Sequence, residues 1–154
     1  MRIAFVEIQN FRKLRACRVE IAEQETIFVG ANNSGKTSAM DALILFLKKS
    51  RRRDLSTTDF TLSNWLSMDQ FGVHWSAAKD EEKPDLTPDS WLPLLPAIDM
   101  WLKINEEDIH RVVHLFPTLD WTLEELLGVR LVLAPKNMEQ FYKDFRILRI
   151  PADS

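Results

Sequence analysis

Eight consecutive residues, Gly30-Ala31-Asn32-Asn33-Ser34-Gly35-Lys36-Thr37, carry the clearest chemistry in the chain. They match G-x-x-x-x-G-K-[ST] at every fixed position, a spacing that wraps backbone amides around phosphate oxygens. Gly30 and Gly35 permit the curl that turns successive N–H groups inward. A helix opening after Gly35 adds first-turn amides and the positive end of its dipole. Lys36 is long enough to reach the outer phosphates of a nucleotide, and the Thr37 hydroxyl can ligate the accompanying Mg2+. Asn32, Asn33, Ser34 and Ser38 complete the candidate binding set, with Lys36 as the candidate catalytic group.

Such a loop functions where a strand feeds it and a helix leaves it. Thr26-Ile27-Phe28-Val29 is an unbroken apolar run and predicts a strand buried on both faces. Beyond the loop, Met40, Leu43, Ile44 and Leu47 fall at i, i+3, i+4 and i+7, which predicts the buried face of a helix. Upstream, residues 3–8 read as a strand ending at Gln9-Asn10, and residues 17–21 alternate as a second one. Glu23-Gln24-Glu25 supplies a polar turn before residue 26.

These parts resemble the start of an ABC-type ATPase head of the SMC, RecF and OLD-nuclease kind. In that group an N-terminal strand ends in an Asn-Phe-Arg-like sequence, matched here by Ile8-Gln9-Asn10-Phe11-Arg12. The group's loop resembles G-x-N-x-[SA]-G-K-[ST], matched from Gly30 to Thr37, and its helix resembles Met40-Asp41-Ala42-Leu43. The resemblance covers residues 1 to about 50. It implies ATP and Mg2+ as ligands, a P-loop NTPase lobe of α/β class with an added antiparallel β-layer, and a homodimer formed through the heads. It also implies that Arg12 approaches the nucleotide phosphates. The OLD-type ATP-dependent endonucleases look most similar, because no long heptad segment follows the loop helix. That likeness implies DNA as a partner of the complete protein, and an additional subunit where such proteins serve anti-phage defence.

The rest of the chain is less patterned. Lys48-Lys49-Ser50-Arg51-Arg52-Arg53 best suits a solvated helix C-terminus complementing the dipole, with a patch facing DNA phosphates as the alternative. Residues 54–96 show no long periodic run. Ser56 can cap a short helix there, residues 80–88 read as an exposed loop, and Trp65, Trp75 and Trp91 suit packing better than base stacking. Residues 97–104 alternate as a strand. Asn105 then suits an N-cap, with Ile109, Val112, Val113 and Phe116 facing inward from a short helix. A connection through Pro117 and Gly128 leads to a strand at 129–134, and a helix is expected within 136–148. The expected organisation is thus 1–53 for strands, loop and loop helix, 54–96 as an irregular insert, and 97–154 as part of the same lobe.

Composition removes several other classes. The 154 residues are 45% hydrophobic and 28% charged, so a packed core is feasible. A net charge of -3 is unlike a polycation that coats nucleic acid. Cys17 is the sole cysteine, which rules out an internal disulfide framework and a four-cysteine zinc site. His110 and His114 are four apart, but Arg111 stands where a zinc-peptidase glutamate belongs, so an ordinary solvated helix face is expected. No apolar run nears the roughly 18 residues of a membrane span. Glu7 interrupts what a signal peptide would keep apolar, and a reducing, cytoplasmic setting is expected.

A complete ATPase of this kind also needs an apolar strand ending in Asp-Glu and a Ser-Gly-Gly-type loop. Leu95-Pro96-Ala97-Ile98-Asp99 lacks the second acid, and the four glycines include no Ser-Gly-Gly triplet. Gln70 and Gln140 lack the context of the glutamine such heads use, and no Toprim-type acidic cluster is visible. The expectation is an N-terminal piece of a longer protein, the alternative being a nucleotide-sensing module without turnover. The 154-residue chain is therefore expected to bind Mg-ATP weakly and to hydrolyse it negligibly. Phosphate release measured over a protein concentration series, beside a C-terminally extended form, checks this. Equal, concentration-independent turnover per chain in both would refute it.

Overall fold

Alternation along the first strand determines which way the molecule faces. The computed structural model describes residues 1–29, 34–48, 55–77 and 86–148. Strands β1 (Arg2–Phe11), β2 (Leu14–Glu20), β3 (Ala97–Lys103) and β4 (Leu127–Val132) form one antiparallel sheet in the order β2-β1-β3-β4. The helices are α1 (Lys36–Leu47), α2 (Trp65–Ala77), the single turn α3 (Ile109–Val112) and α4 (Met138–Leu148). On β1, Val6 and Ile8 point to one face, opposite Val19 and Cys17 of β2 and Met100 and Ile98 of β3. α1 lies on that face, where Ala39, Ala42, Leu45 and Phe46 join Val6, Ile8, Val19 and Ile98 in one buried cluster.

The other face is polar and internally paired, as alternation requires of a sheet with a single covered side. Arg130 donates from Nε and Nη2 to Asp99 at 2.6 and 2.7 Å, and Gln9 donates to the same carboxylate at 3.0 Å. These hydrogen bonds and the Asp99 charge hold the Arg130 guanidinium above its ordinary pKa. Trp101 stacks on Phe5 with centroids 5.6 Å apart and donates to Glu7 at 2.9 Å. Its ring occupies the space beside Gly128, where a Cβ would come within 3.1 Å of it.

Two further clusters flank the sheet. Leu102, Ile104, Val112 and Leu127 form one. The other is aromatic: Trp75 and Trp91 lie 5.1 Å apart, with Phe71, Tyr142 and Phe145 around them. Of the three tryptophans read as packing residues, Trp75 and Trp91 are buried and Trp65 is 45% exposed.

Several expectations need correction. Residues 26–29 form no strand, and Ile27 and Val29 are 71% and 88% exposed. Among the described residues no strand lies beside them, and an extended segment without a neighbour gains no ladder. β1 does not end at Gln9-Asn10 but continues to Phe11, because Gln9 pairs with Ala16 on one side and Ala97 on the other. On α1 the buried face is Ser38, Ala39, Ala42, Leu45 and Phe46, whereas Met40, Ile44 and Leu47 are 43–47% exposed. The helix is apolar on both sides, so periodicity could not say which side meets the sheet. The alanines allow the close approach. Residues 54–96 are not irregular throughout, since they hold the thirteen-residue α2. Val113, expected inside, is 56% exposed, because the α-helix stops at Val112 and a tighter 3-10 turn follows. β4 opens at Leu127, earlier than expected, and includes Gly128. The loop expected at 80–88 lies outside the described residues up to residue 85.

The exposure contrast among the tryptophans has a direct consequence. Trp75→Ala is expected to cost about 3–5 kcal/mol, as large-to-small changes in a core do, and Trp65→Ala about 1 kcal/mol or less. Equilibrium urea denaturation of both variants checks this, and equal losses would contradict the packing.

Candidate functional site

Gly35 is the N-cap of α1 and adopts φ 99°, a left-handed conformation that side chains disfavour. A Cβ there would also lie 2.9 Å from Cδ2 of Leu14, the movable end of a side chain, so the backbone angle is the stronger demand for glycine. No cap side chain satisfies the opening amides of α1, and no acidic residue occupies its first turn. The positive end of the dipole is thus not neutralised from within the helix. Lys36 opens the helix, half-buried, with Nζ 3.4 Å from the Ser34 hydroxyl. Thr37 is exposed and Ser38 is buried beneath the first turn. Gly30, Asn32 and Asn33 lie outside the described residues.

A cavity of about 440 Å3 opens beside this turn. Ser34, Gly35 and Lys36 line one side of it, and Thr26, Phe28, Cys17 and Val19 line the other. Lys36 and the amides of the helix start on one wall face a mixed wall of Val19, Ile27, Phe28 and Val29 with Arg18, Glu20 and Thr26, which suits a ligand with a phosphate end and a flat, less polar end. The residues present therefore fit a nucleotide: a left-handed glycine, an uncapped helix start, a lysine and a hydroxyl converge on one opening.

Arg12, in the turn between β1 and β2, meets α1 at a different point. Asn10 and Arg12 both have positive φ, 53° and 51°, uncommon for residues with side chains. Each is held. Asn10 donates to the carbonyls of Pro93 at 2.7 Å and Leu95 at 3.3 Å, and accepts from Asn64 at 3.0 Å. The Arg12 amide donates to the Asp59 carbonyl at 2.8 Å, and its Nε donates to the Asp59 carboxylate at 2.9 Å. Its Nη1 donates to Asp41 on the second turn of α1. Asp59 is buried, and its other oxygen accepts from the Ser56 amide at 2.9 Å, closing a capping box on the 57–59 turn. Burial works against the guanidinium charge, but the bonds to Asp59 and Asp41 outweigh it and raise the Arg12 pKa.

The structure thus brings Ser34 to Ser38 together and sets Arg12 against two carboxylates along the same helix. Asp59 was legible only as part of a cap and Asp41 only as part of the helix, so their shared grip on Arg12 was missed. Of the basic run, Lys48 is exposed at the end of α1, and residues 49–53 lie outside the described residues. His110 and His114 are exposed, and among the described residues no cluster of His, Cys, Asp and Glu is arranged to hold a metal ion. Nor, among those residues, is any helix long and apolar enough to cross a membrane.

A helix started by a left-handed glycine and a lysine-threonine pair, set on a β-layer, is the arrangement expected of the phosphate-binding part of an ATPase-type protein. The chain belongs to the AAA ATPase domain family, whose model matches residues 1–117. It is also similar to the DNA replication and repair protein RecF of a Nocardioides species, 25% identical over 154 residues. That match covers 98% of this chain and 34% of the relative, so the chain spans about a third of that protein's length. Together the two likenesses support a P-loop ATPase of the SMC/RecF group.

Lys36→Ala is expected to abolish nucleotide binding while leaving the fold nearly intact, since it removes a charged phosphate ligand from the surface and little packing. Calorimetric titration with ATP, beside melting curves of both proteins without ligand, checks this. Retained ATP affinity in the variant would reject the site.

Proposed function

We propose that this chain is the nucleotide-binding front of a head that hydrolyses ATP and drives a machine acting on DNA. The observation that carries the reading is the start of α1, where Ser34, Gly35 and Lys36 line an open cavity and no acidic side chain occupies the first turn. Gly35 lets the loop approach the phosphates. Lys36 neutralises the outer phosphate oxygens, and the Thr37 hydroxyl holds Mg2+ in place. When bound, the metal withdraws charge from the phosphates undergoing transfer. Ser38, buried under the turn, orients it from below. Arg12, paired with Asp41 and Asp59, fixes the β1–β2 turn against the same helix.

Parts beyond this chain complete the catalytic machinery. The exposed apolar strip of Ile27, Val29, Met40, Ile44 and Leu47 supports that reading, since it offers a surface for a second layer of structure. We place the working form as a cytoplasmic homodimer through the heads, the arrangement that the family resemblance implies. The finer reading is an OLD-type nuclease head rather than one with a coiled-coil arm. Its support is that, among the described residues, no helix after α1 exceeds the thirteen residues of α2. A role in anti-phage defence with a further subunit belongs to the same reading.

Thr37→Ala tests the metal arm separately from the phosphate arm. The residue is exposed, so stability should change by less than about 0.5 kcal/mol. Affinity for ATP in EDTA is expected to stay within about twofold, while the gain from adding Mg2+ falls by roughly tenfold. Unchanged Mg2+ dependence in the variant would remove Thr37 from the site and with it the proposed mode of phosphate binding.

A further inference from the structure

A second cavity, of about 320 Å3, lies between α2, α4 and the 57–60 turn, and shares no lining residue with the cavity beside Lys36. We propose that it is a binding pocket for a flat, uncharged aromatic ring system about the size of indole. Protein interiors are close-packed, and an apolar opening of this size is at the lower bound of ligand pockets, with room for roughly one or two fused rings.

Three features of the walls choose the ligand. The rings are set edge to face, Trp75 against Phe145 at 76° and Trp91 against Phe141 at 87°, which offers a further ring both faces and edges. Among the described residues lining it, Thr57, Asp69 and the indole N–H groups are the only polar side-chain groups. A nucleobase would leave most of its donors and acceptors without partners there, and an anion would give up its hydration against largely apolar walls, both of which are costly. The third feature is Gly72, buried in the middle of α2 and forming part of the wall. Glycine is unfavourable in a helix interior, and here its missing side chain keeps the pocket open. The inference stands without the nucleotide reading, although Thr57 and Phe60 of the wall flank Asp59, the partner of Arg12.

The test titrates the 154-residue chain with 5-fluoroindole followed by 19F NMR, with adenine and indole-3-acetate as polar and anionic controls. Saturable binding of 5-fluoroindole is expected, with amide shifts at residues 57–60 and 72 and at least about tenfold weaker binding of both controls. Gly72→Leu fills the pocket and should weaken the ring's binding at least about tenfold. Trp65→Ala, which removes an exposed wall residue, serves if the first variant does not fold, and should weaken binding severalfold. Absence of saturable binding, adenine binding as well as 5-fluoroindole, or unchanged affinity in a folded variant would each overturn the assignment.

Discussion

One guanidinium ties together the pieces that shape the phosphate site. Arg12 leaves β1 with positive φ, as does Asn10, and left-handed residues with side chains cost about 1–2 kcal/mol each. A charge-assisted hydrogen bond returns about 1.5–3 kcal/mol, less where solvent screens it, and Arg12 is 37% exposed. Bonds to both Asp59 and Asp41 therefore suffice to hold the turn, and Asn10 is held separately by carbonyls at Pro93 and Leu95. From this turn the chain enters β2 with Leu14, whose side chain lies over Gly35. The order of dependence runs from Asp59 to Arg12, then to Leu14 and the glycine that opens α1. The 54–96 stretch is thus part of the site's support, through Asp59 on one side and the carbonyls near residue 94 on the other.

What could be read in the sequence follows from how local each signal is. The start of α1 was legible because a glycine-lysine-threonine pattern encodes its own backbone geometry. The strands at 97–103 and 127–132 were legible because each has one covered face and shows its period of two. α2 was not, although Met68, Phe71, Gly72 and Trp75 fall at helical spacing. A glycine and an exposed Trp65 break up the apolar face, and the face is covered by α4, which lies some seventy residues away in sequence. The Arg12 pairings were illegible for the same reason: Asp41 and Asp59 are 29 and 47 residues distant, and nothing local announces them. Residues 26–29 failed in the opposite way. Their apolar run describes what the segment is suited to, while a strand also requires a neighbour.

That failure and the misread face of α1 share one cause. Ala39, Ala42 and Phe46 meet the antiparallel sheet, while Met40, Ile44 and Leu47 on the same helix remain 43–47% exposed, and Ile27 and Val29 before it are exposed too. Full burial of a side chain of this size contributes about 1.5–3 kcal/mol, and these are already partly covered, so covering half of what remains exposed yields about 2–4 kcal/mol. That is a sizeable fraction of the net stability of a domain, about 5–15 kcal/mol. A helix apolar on both sides belongs between two layers, and the four-stranded sheet supplies one of them. An apolar segment running extended into the start of the same helix is suited to the edge of the other. A head in which a second sheet closes over α1 accounts for both features at once. It would also set the proposed phosphate site where such sites form, between a strand end and a helix N-terminus, with the dipole of α1 directed into a space the second layer would shield from water.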